Sequence, residues 1–265
     1  MINFGLTKTL LATALATFLS AGLVGCANNK DGEPSSNTTT ENTATTTTNQ
    51  DLAANLQNNL IASGIDANII ATKATKVDGI YWVNAQGMPP FFTDATGQHI
   101  IQGPIIAVGT DKPTDIGADM IAEVAKQKLA AINTDEMIIY PAKGETKGII
   151  YAFTDPTCPY CQKLHEELGD INAKGIEVRY LAWPRNQTAE PIMQSIWCSD
   201  DKKTAFAAAI TENGAQSPKC ETPIQQHTEI GFSLGVQGTP ALFTESGEQI
   251  GGYLPPEQIA NALGL

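Results

Sequence analysis

The sequence predicts two folded units, an α+β unit over residues 51–112 and an α/β unit over residues 138–265. In the first unit, one amphipathic helix is followed by short strand-like runs and hairpin turns, which is typical of an antiparallel sheet. The second unit alternates strand, helix and strand, as a βαβ unit with parallel strands does. Between them, residues 113–137 carry a single narrow apolar stripe, which predicts a half-covered helix that links the two units.

Residues 1–25 have the pattern of a secretory signal, in which Lys8 supplies the positive charge. The apolar stretch that follows is too short and too rich in Ala and Thr for a membrane span. It ends in Leu23-Val24-Gly25-Cys26, which resembles the lipobox of bacterial lipoproteins. In that family the chain is cut before the cysteine, which then carries the lipid. An ordinary signal peptide is the alternative, but it would leave an exposed odd thiol in an oxidising compartment.

Residues 26–50 are predicted to form a disordered tether behind this anchor. They are rich in Thr, Asn and Ser and have almost no apolar side chains, so they cannot bury a core. The resemblance to a lipobox implies that the chain lies in the bacterial periplasm, attached to a membrane through Cys26. Ala27 is not the aspartate that retains enterobacterial lipoproteins in the inner membrane, so the outer membrane is favoured.

The 265 residues carry a formal net charge of −12 and no cluster of Lys and Arg. This charge argues against nucleic acid as a partner. An acidic surface also disfavours direct binding to anionic membrane surfaces, although it names no substrate.

The first unit begins with a predicted helix near Asp51, in which leucines recur every four positions. The turn at residues 94–97 places Gly97 where a positive φ is wanted. Because a unit of about 60 residues has a thin core, we expect it to gain stability by association. His99 is expected on a strand surface. The strand-like runs are residues 69–72, 79–83, 90–93 and 99–103.

Two cysteines, in Cys158-Pro159-Tyr160-Cys161, lie where a predicted strand over residues 148–154 ends and a predicted helix over residues 162–173 begins. Unpaired backbone N–H groups at a helix start stabilise a thiolate. Thiol pKa values in such motifs fall to about 3.5–7.5. We therefore predict that Cys158 faces outward as the nucleophile and that Cys161, one turn later and more buried, resolves the intermediate.

Half of a zinc site and an inert buried pair are the alternatives for two cysteines at this spacing. Zinc would need a second close pair of ligands. The remaining cysteines, Cys198 and Cys220, are far apart in sequence and not paired with histidines. The sequence therefore favours a redox pair and predicts neither a metal nor a cofactor.

The rest of the second unit predicts a parallel strand over residues 176–183, helices within residues 189–235, a β-hairpin and a closing helix. This order is that of a thioredoxin-like domain with a helical insertion. Among side chains that could take part in chemistry, His165, Glu166 and His227 are expected to face solvent. The two tryptophans of this unit, Trp183 and Trp197, are expected in its core.

The segment Phe153-Thr-Asp-Pro-Thr-Cys-Pro-Tyr-Cys-Gln-Lys-Leu-His165 resembles the active-site segment of the periplasmic disulfide isomerases, the DsbC/DsbG group. The resemblance covers roughly residues 51–265 and implies a V-shaped homodimer. Each chain would have a cystatin-like N-terminal dimerisation domain, a linker helix and a thioredoxin-like catalytic domain. Three further segments agree in order: His99-Ile-Ile-Gln-Gly-Pro104, Val178-Arg-Tyr-Leu-Ala-Trp-Pro-Arg185 and Leu234-Gly-Val-Gln-Gly-Thr-Pro-Ala241.

The resemblance also implies roles for individual residues. Thr239 and Pro240 match the family's cis-proline loop, which pairs with an extended substrate beside the thiols, and Tyr160 completes the predicted substrate-binding set. Cys198 and Cys220 match the second disulfide of DsbC, which is expected to be structural and buried. By contrast, the dipeptide between Cys158 and Cys161 is that of DsbG, and a lipid anchor belongs to neither typical member.

The function implied is that of a disulfide isomerase and reductase for misfolded exported proteins, kept reduced by a DsbD-like membrane reductase. Two alternatives stay open. Pro159-Tyr160 suggests a DsbG-like reductase of sulfenic acids on folded proteins. The other alternative is not a redox enzyme: it is a chaperone of the holdase type, which binds unfolded clients without using the thiols.

Overall fold

The computed structural model describes residues 49–109, 112–212 and 220–265. The predicted signal, Cys26 and nearly all of the tether lie outside these residues. Residues 46–265 belong to one compact unit. Within the described ranges, no helix is long and apolar enough to cross a membrane.

The N-terminal part consists of helix α1 and a four-stranded antiparallel sheet in the order β1-β2-β3-β4. Leu56 and Leu60 of α1 pack with Val83 and Phe91 of the sheet, as the helical spacing predicts. Gly97 has φ of 67° in the predicted turn, and a Cβ there would lie 3.1 Å from the backbone of Leu56. The bounds are α1 Asn49–Ala62, β1 Ile69–Ala74, β2 Ile80–Ala85, β3 Phe91–Asp94 and β4 Ile100–Ile101.

The predicted linker helix is shorter than its pattern suggested. Helix α2 covers Ala118–Ala130, because a two-stranded ribbon of β5 (Ile106–Ala107) and β6 (Thr114–Asp115) precedes it and a 3-10 turn, Thr134–Glu136, follows it. The buried side of α2 packs into the core of the C-terminal part of the chain, where Leu129 contacts residues such as Phe243. Gly247 approaches α2 so closely that a Cβ would lie 2.0 Å from a backbone oxygen of the helix.

The C-terminal part is built on a five-stranded sheet in the order β11-β10-β8-β9-β7. Strands β8 and β9 are parallel, as predicted, and the other pairs are antiparallel. The helix expected over residues 162–173 is two helices, because Glu167 leaves the helical conformation at φ −90° and ψ 2°. The bounds are β7 Ile138–Tyr140, β8 Gly148–Thr154, α3 Pro159–Glu166, α4 Leu168–Ala173, β9 Ile176–Ala182, β10 Ala241–Thr244, β11 Gln249–Gly251 and α8 Pro256–Ala262.

Among the residues that the structure describes between β9 and β10, three helices form the predicted insertion: α5 Ala189–Trp197, α6 Lys202–Glu212 and α7 Ile224–Ser233. A disulfide joins Cys198 to Cys220 with 5.6 Å between their Cα atoms, as the family resemblance implied. The expectation that this bond is buried is wrong, since Cys220 is exposed and Cys198 is only partly covered. Cys198 is the C-cap of α5, and Cys220 lies in the loop that precedes α7.

Two histidines that were expected to face solvent do not. His227 is fully buried, and its Nδ1 accepts a hydrogen bond from the backbone N–H of Ala182 at 3.1 Å. It lies three positions after Ile224 and four before Gly231, both buried, so it shares the inward face of α7. His165 is half-buried, whereas its neighbour Glu166 is exposed as predicted. Trp183 and Trp197 are in the core, as expected.

Candidate active site

Cys158 stands at the N-cap of α3, directly after the loop that leaves β8. Its backbone is extended, with φ −86° and ψ 122°, and its carbonyl accepts the first helical hydrogen bond from Gln162 at 3.0 Å. Pro159 occupies the first helical position, where its missing N–H leaves no bond unmade. The sequence prediction for this strand–turn–helix is therefore confirmed.

A buried carboxylate that the sequence analysis missed holds this loop. Asp155 is fully buried and accepts hydrogen bonds from the backbone and hydroxyl of Thr157 at 2.8 and 2.7 Å. Its other oxygen accepts from the backbone N–H and Nε of Arg185 at 2.9 and 3.2 Å. Arg185 also donates to the carbonyl of Thr157 at 3.0 Å. Asp155 and Arg185 thus fix the segment that positions Cys158.

The prediction that Cys158 faces outward is wrong. Cys158 is 2 % exposed, and Cys161 is fully buried. The cause is a loop remote in sequence, because the Cys158 Sγ lies 3.2 Å from the carbonyl oxygen of Thr239. Neither thiol belongs to a group of three or more His, Cys, Asp or Glu side chains that could hold a metal ion among the described residues.

The two thiols differ in their electrostatic environment rather than in their exposure. Burial raises the pKa of Cys158, but the nearby Thr239 side chain, the backbone N–H groups of Cys161 and Tyr160, and the Cys161 side chain favour the thiolate and outweigh burial. The pKa of Cys158 is therefore lowered. Burial raises the pKa of Cys161 to about 12. Of the two thiols, Cys158 is therefore the one that ionises more readily.

Thr239 provides two different contacts for the two forms of Cys158. The protonated thiol donates to the Thr239 carbonyl. A thiolate has no proton to donate and accepts instead, and the Thr239 hydroxyl is buried without a hydrogen-bond partner of its own in the described structure. This hydroxyl is the side-chain donor that lowers the Cys158 pKa.

The peptide bond between Thr239 and Pro240 is cis, as the resemblance implied. It directly precedes β10, whose Ala241 pairs with Phe153 near the end of β8, so the loop lies beside the thiols. A cavity of about 390 Å³ runs along this loop. It shares Gly235, Gln237 and Gln249 with a second cavity of about 440 Å³ that reaches Trp82 of the N-terminal part.

Tyr160 lies at the surface beside the thiols and is 62 % exposed. Its ring stacks on Tyr253, with 6.1 Å between centroids and 27° between planes. Lys163 lies 4.6 Å above the Tyr253 ring, and the Tyr253 hydroxyl donates to the Glu167 carboxylate at 2.8 Å. No local pattern marks Tyr253, because it reaches Tyr160 from the loop after β11.

Two family models match the chain: a thioredoxin-like domain over residues 135–265, and a disulfide bond isomerase protein N-terminal domain over residues 43–120. The thiol:disulfide interchange protein DsbC of Dickeya dadantii strain 3937 is 43 % identical over 166 residues, which cover 62 % of this chain and 67 % of that protein. DsbC of Escherichia coli K12 is 41 % identical over 176 residues, which cover 65 % of this chain and 72 % of the relative. The chain belongs to the DsbC family of thiol:disulfide interchange proteins.

This membership confirms the family resemblance, the predicted fold class and the predicted chemistry, which is thiol–disulfide exchange by an isomerase and oxidoreductase. Among solved structures, a disulfide interchange protein from Neisseria gonorrhoeae matches with a TM-score of 0.44 at 25 % identity, covering 50 % of this chain and 96 % of that chain. DsbG of Helicobacter pylori matches with a TM-score of 0.39 at 16 % identity, covering 74 % of this chain and 99 % of that chain.

Proposed function

We propose that this DsbC-family chain rearranges wrong disulfides in exported proteins with Cys158 as the attacking thiolate and Cys161 as the resolving thiol. The observation that carries the assignment is the opposite direction of the two pKa shifts, lowered for Cys158 and raised to about 12 for Cys161. Nucleophilic attack on a disulfide requires a thiolate, so the cysteine that ionises more readily, Cys158, is the better nucleophile of the two.

The chemistry proceeds in two steps. The Cys158 thiolate attacks one sulfur of a client disulfide, the client bond breaks, and a mixed disulfide forms while the other client sulfur leaves as a thiolate. A second client thiolate then attacks the mixed disulfide and frees Cys158, which gives isomerisation without net electron transfer. Alternatively, Cys161 attacks Cys158 and releases the client, which is then reduced by two electrons as the pair is oxidised.

Client binding is assigned to Tyr160, Thr239 and Pro240. The cis-proline loop lies beside Cys158, so its backbone can pair with an extended client segment there. The cavity along this loop gives such a segment a path next to the thiols. Tyr160 adds an exposed aromatic surface on the helix side of the site.

The chain is proposed to act as a homodimer, and each proposed domain has its own role in it. Residues 51–112 act as the dimerisation domain, residues 113–137 as the linker and residues 138–265 as the catalytic domain. Edge strand β4 pairs only with β3 among the described strands, and its Ile100 and Ile101 are exposed, which supports association between two copies. Sedimentation of the purified protein as a monomer at micromolar concentration would contradict the homodimer.

The chain is proposed to act in the periplasm, held to the outer membrane by lipid on Cys26 after removal of residues 1–25 and raised by the tether of residues 26–50. A DsbD-like membrane reductase would return Cys158 and Cys161 to the dithiol. The intact mass of mature protein should begin at Cys26 and include a diacylglyceryl group. A mature chain that begins elsewhere and carries no lipid would refute the anchor.

One specific feature favours a second function, the reduction of sulfenic acids on folded proteins, because Pro159-Tyr160 is the dipeptide of DsbG. Scrambled ribonuclease and insulin together test the primary proposal. The isomerase restores ribonuclease activity and reduces insulin, whereas a reductase of sulfenic acids does not restore scrambled ribonuclease.

A further inference from the structure

Tyr160 presents an exposed aromatic ring next to the nucleophile. It is the second residue after Cys158, at the start of α3, and is 62 % exposed. A client that is joined to Cys158 by a mixed disulfide lies against the surface around this sulfur. The ring of Tyr160 is therefore within the area that a bound client covers.

Three side chains of the active-site helix meet one tyrosine from a remote loop. Tyr160, Lys163 and Glu167 follow one another at spacings of three and four positions, so they share one face of the helix. Tyr253 contacts all three of them, from the loop between β11 and α8.

Each of the three contacts with Tyr253 has a different character. The ring of Tyr253 stacks on that of Tyr160, with 6.1 Å between centroids and 27° between planes. Lys163 Nζ lies 4.6 Å from the centroid of the same ring. The Tyr253 hydroxyl donates to the two carboxylate oxygens of Glu167, at 2.9 and 2.8 Å. Tyr253 is therefore fixed against the helix at both its ring and its hydroxyl.

The other attachment of Tyr253 is the core of the C-terminal part. Tyr253 and its neighbour Leu254 are partly buried and pack against the core cluster that includes Ile171 and Ile259. A ring held in this way offers Tyr160 a fixed partner. Orienting Tyr160 before a client arrives reduces the conformational entropy that is lost on binding.

The charges beside the two rings indicate which client side chains suit this surface. Lys163 and Glu167 carry opposite charges on the same face of α3, so their charges offset each other. The surface that remains is aromatic, and aromatic rings bind other large apolar side chains by stacking or edge-to-face contact.

We propose that Tyr253 positions Tyr160, and that Tyr160 then binds a large apolar side chain of the client close in sequence to the reacting cysteine. This inference rests on the proposed attack by Cys158. Such side chains are mostly buried in native proteins and become accessible in misfolded ones. The positioned ring would therefore favour misfolded clients over correctly folded proteins.

The test uses two short peptides that differ only at the residue next to their single cysteine, phenylalanine in one and serine in the other. Each cysteine is joined to thionitrobenzoate, which is released when reduced Cys158 attacks the peptide sulfur. Rates with glutathione correct for the intrinsic reactivity of each peptide. The wild-type protein should react about 2- to 10-fold faster with the phenylalanine peptide, the range expected for one aromatic contact.

Two substitutions of Tyr253 separate its ring from its hydroxyl. Tyr253→Leu keeps an apolar side chain against the core but removes the stacked ring, so the ratio of the two rates should fall towards 1. Tyr253→Phe keeps the ring and should retain most of the preference. Glu166→Gln changes an exposed residue of the same helix outside the shared face, and its ratio should match that of the wild type.

A double-mutant cycle tests whether Tyr253 acts through Tyr160. Tyr160→Ala should bring the ratio to about 1, and adding Tyr253→Leu should change it no further, because the two residues act as one unit. Tyr160 is mostly exposed, so Tyr160→Ala also tests the aromatic contact if Tyr253→Leu does not fold.

Equal rates with the two peptides in the wild type, or a wild-type ratio in folded Tyr253→Leu, would overturn the inference. A preference that survives in part in Tyr160→Ala and falls further with Tyr253→Leu would contradict positioning through Tyr160. Failure of the proposed function looks different, since the wild type would then not restore scrambled ribonuclease, whatever the ratio between the peptides.

Discussion

The Cys158 Sγ lies 3.2 Å from the carbonyl oxygen of Thr239, and this contact joins the active-site helix to the cis-proline loop. It explains why Cys158 is covered although it stands at a helix N-terminus. A client strand that pairs with the loop would meet the sulfur at the same place, so the proposed client-binding loop and the nucleophile lie next to each other in space although they are far apart in sequence.

The division of labour between the two thiols is the first prediction. Cys158→Ser should abolish isomerase and reductase activity together, because the lowered pKa belongs to Cys158. Cys161→Ser should form mixed disulfides that it cannot resolve, so client-linked complexes should accumulate on non-reducing gels. Isomerisation should partly survive in Cys161→Ser, since a client thiol can still free Cys158. Equal loss of all activities in both variants would contradict these roles.

A second prediction concerns the unpartnered Thr239 hydroxyl. Thr239→Val keeps the side-chain shape but removes the donor, so the Cys158 pKa should rise. Iodoacetamide alkylation of Cys158 at pH 7 should slow about 10-fold, as expected if a charge-assisted hydrogen bond of about 1.5 kcal/mol is lost. Thr188→Val, at an exposed position away from the thiols, is the control. An unchanged pH profile for alkylation in Thr239→Val would show that the hydroxyl does not stabilise the thiolate.

Buried His227 predicts a pH dependence of stability. Burial, with a smaller effect of Lys202, lowers the pKa of His227 from 6.5 to about 4, so the folded state favours the neutral imidazole. This contribution is complete above pH 6.5 and is lost as the pH falls towards 4. Its upper limit is about 3 kcal/mol, from 1.36 kcal/mol per pKa unit.

The test for His227 is urea unfolding at pH 7, 5.5 and 4. His227→Asn keeps an acceptor for the Ala182 N–H but cannot titrate, so its unfolding free energy should start lower and change less over this range. A wild-type protein and a variant that lose stability in parallel would exclude His227 as the cause.

The Cys198–Cys220 disulfide is predicted to stabilise the insertion without taking part in exchange. It closes a loop with a sequence separation of 22 residues, for which chain entropy gives roughly 3 kcal/mol. Replacing both cysteines by alanine should lower the free energy of unfolding by about that amount and leave alkylation of Cys158 unchanged. Lost Cys158 reactivity in a folded double variant would contradict a structural role.

How far the sequence predicts this site depends on how local the interactions are. The strand, turn and helix around Cys158 follow from periodicity and from Pro159 within a short segment. The covering of Cys158 by Thr239 and the stacking of Tyr253 on Tyr160 were not predicted, because each contact joins segments that are far apart in the sequence.

The histidines show a different limit. A polar residue on an amphipathic helix is normally assigned to solvent, and this assignment failed for His165 and His227. Ile224 and Gly231 lie three positions before and four positions after His227, on the same buried face of the helix. Helical spacing was therefore enough to predict that His227 is buried. At His165 the neighbours come from β7, β9 and α6, which no pattern local to α3 reveals.

The most direct measurement is the recovery of ribonuclease activity from scrambled ribonuclease, with insulin reduction measured beside it. The full-length protein should restore activity, Cys158→Ser should not, and Cys161→Ser should keep part of the recovery while losing insulin reduction. A protein without residues 51–112 should lose ribonuclease recovery more than insulin reduction if dimerisation holds the client. Insulin reduction by the full-length protein without recovery of scrambled ribonuclease would contradict the isomerase and favour the sulfenic-acid reductase.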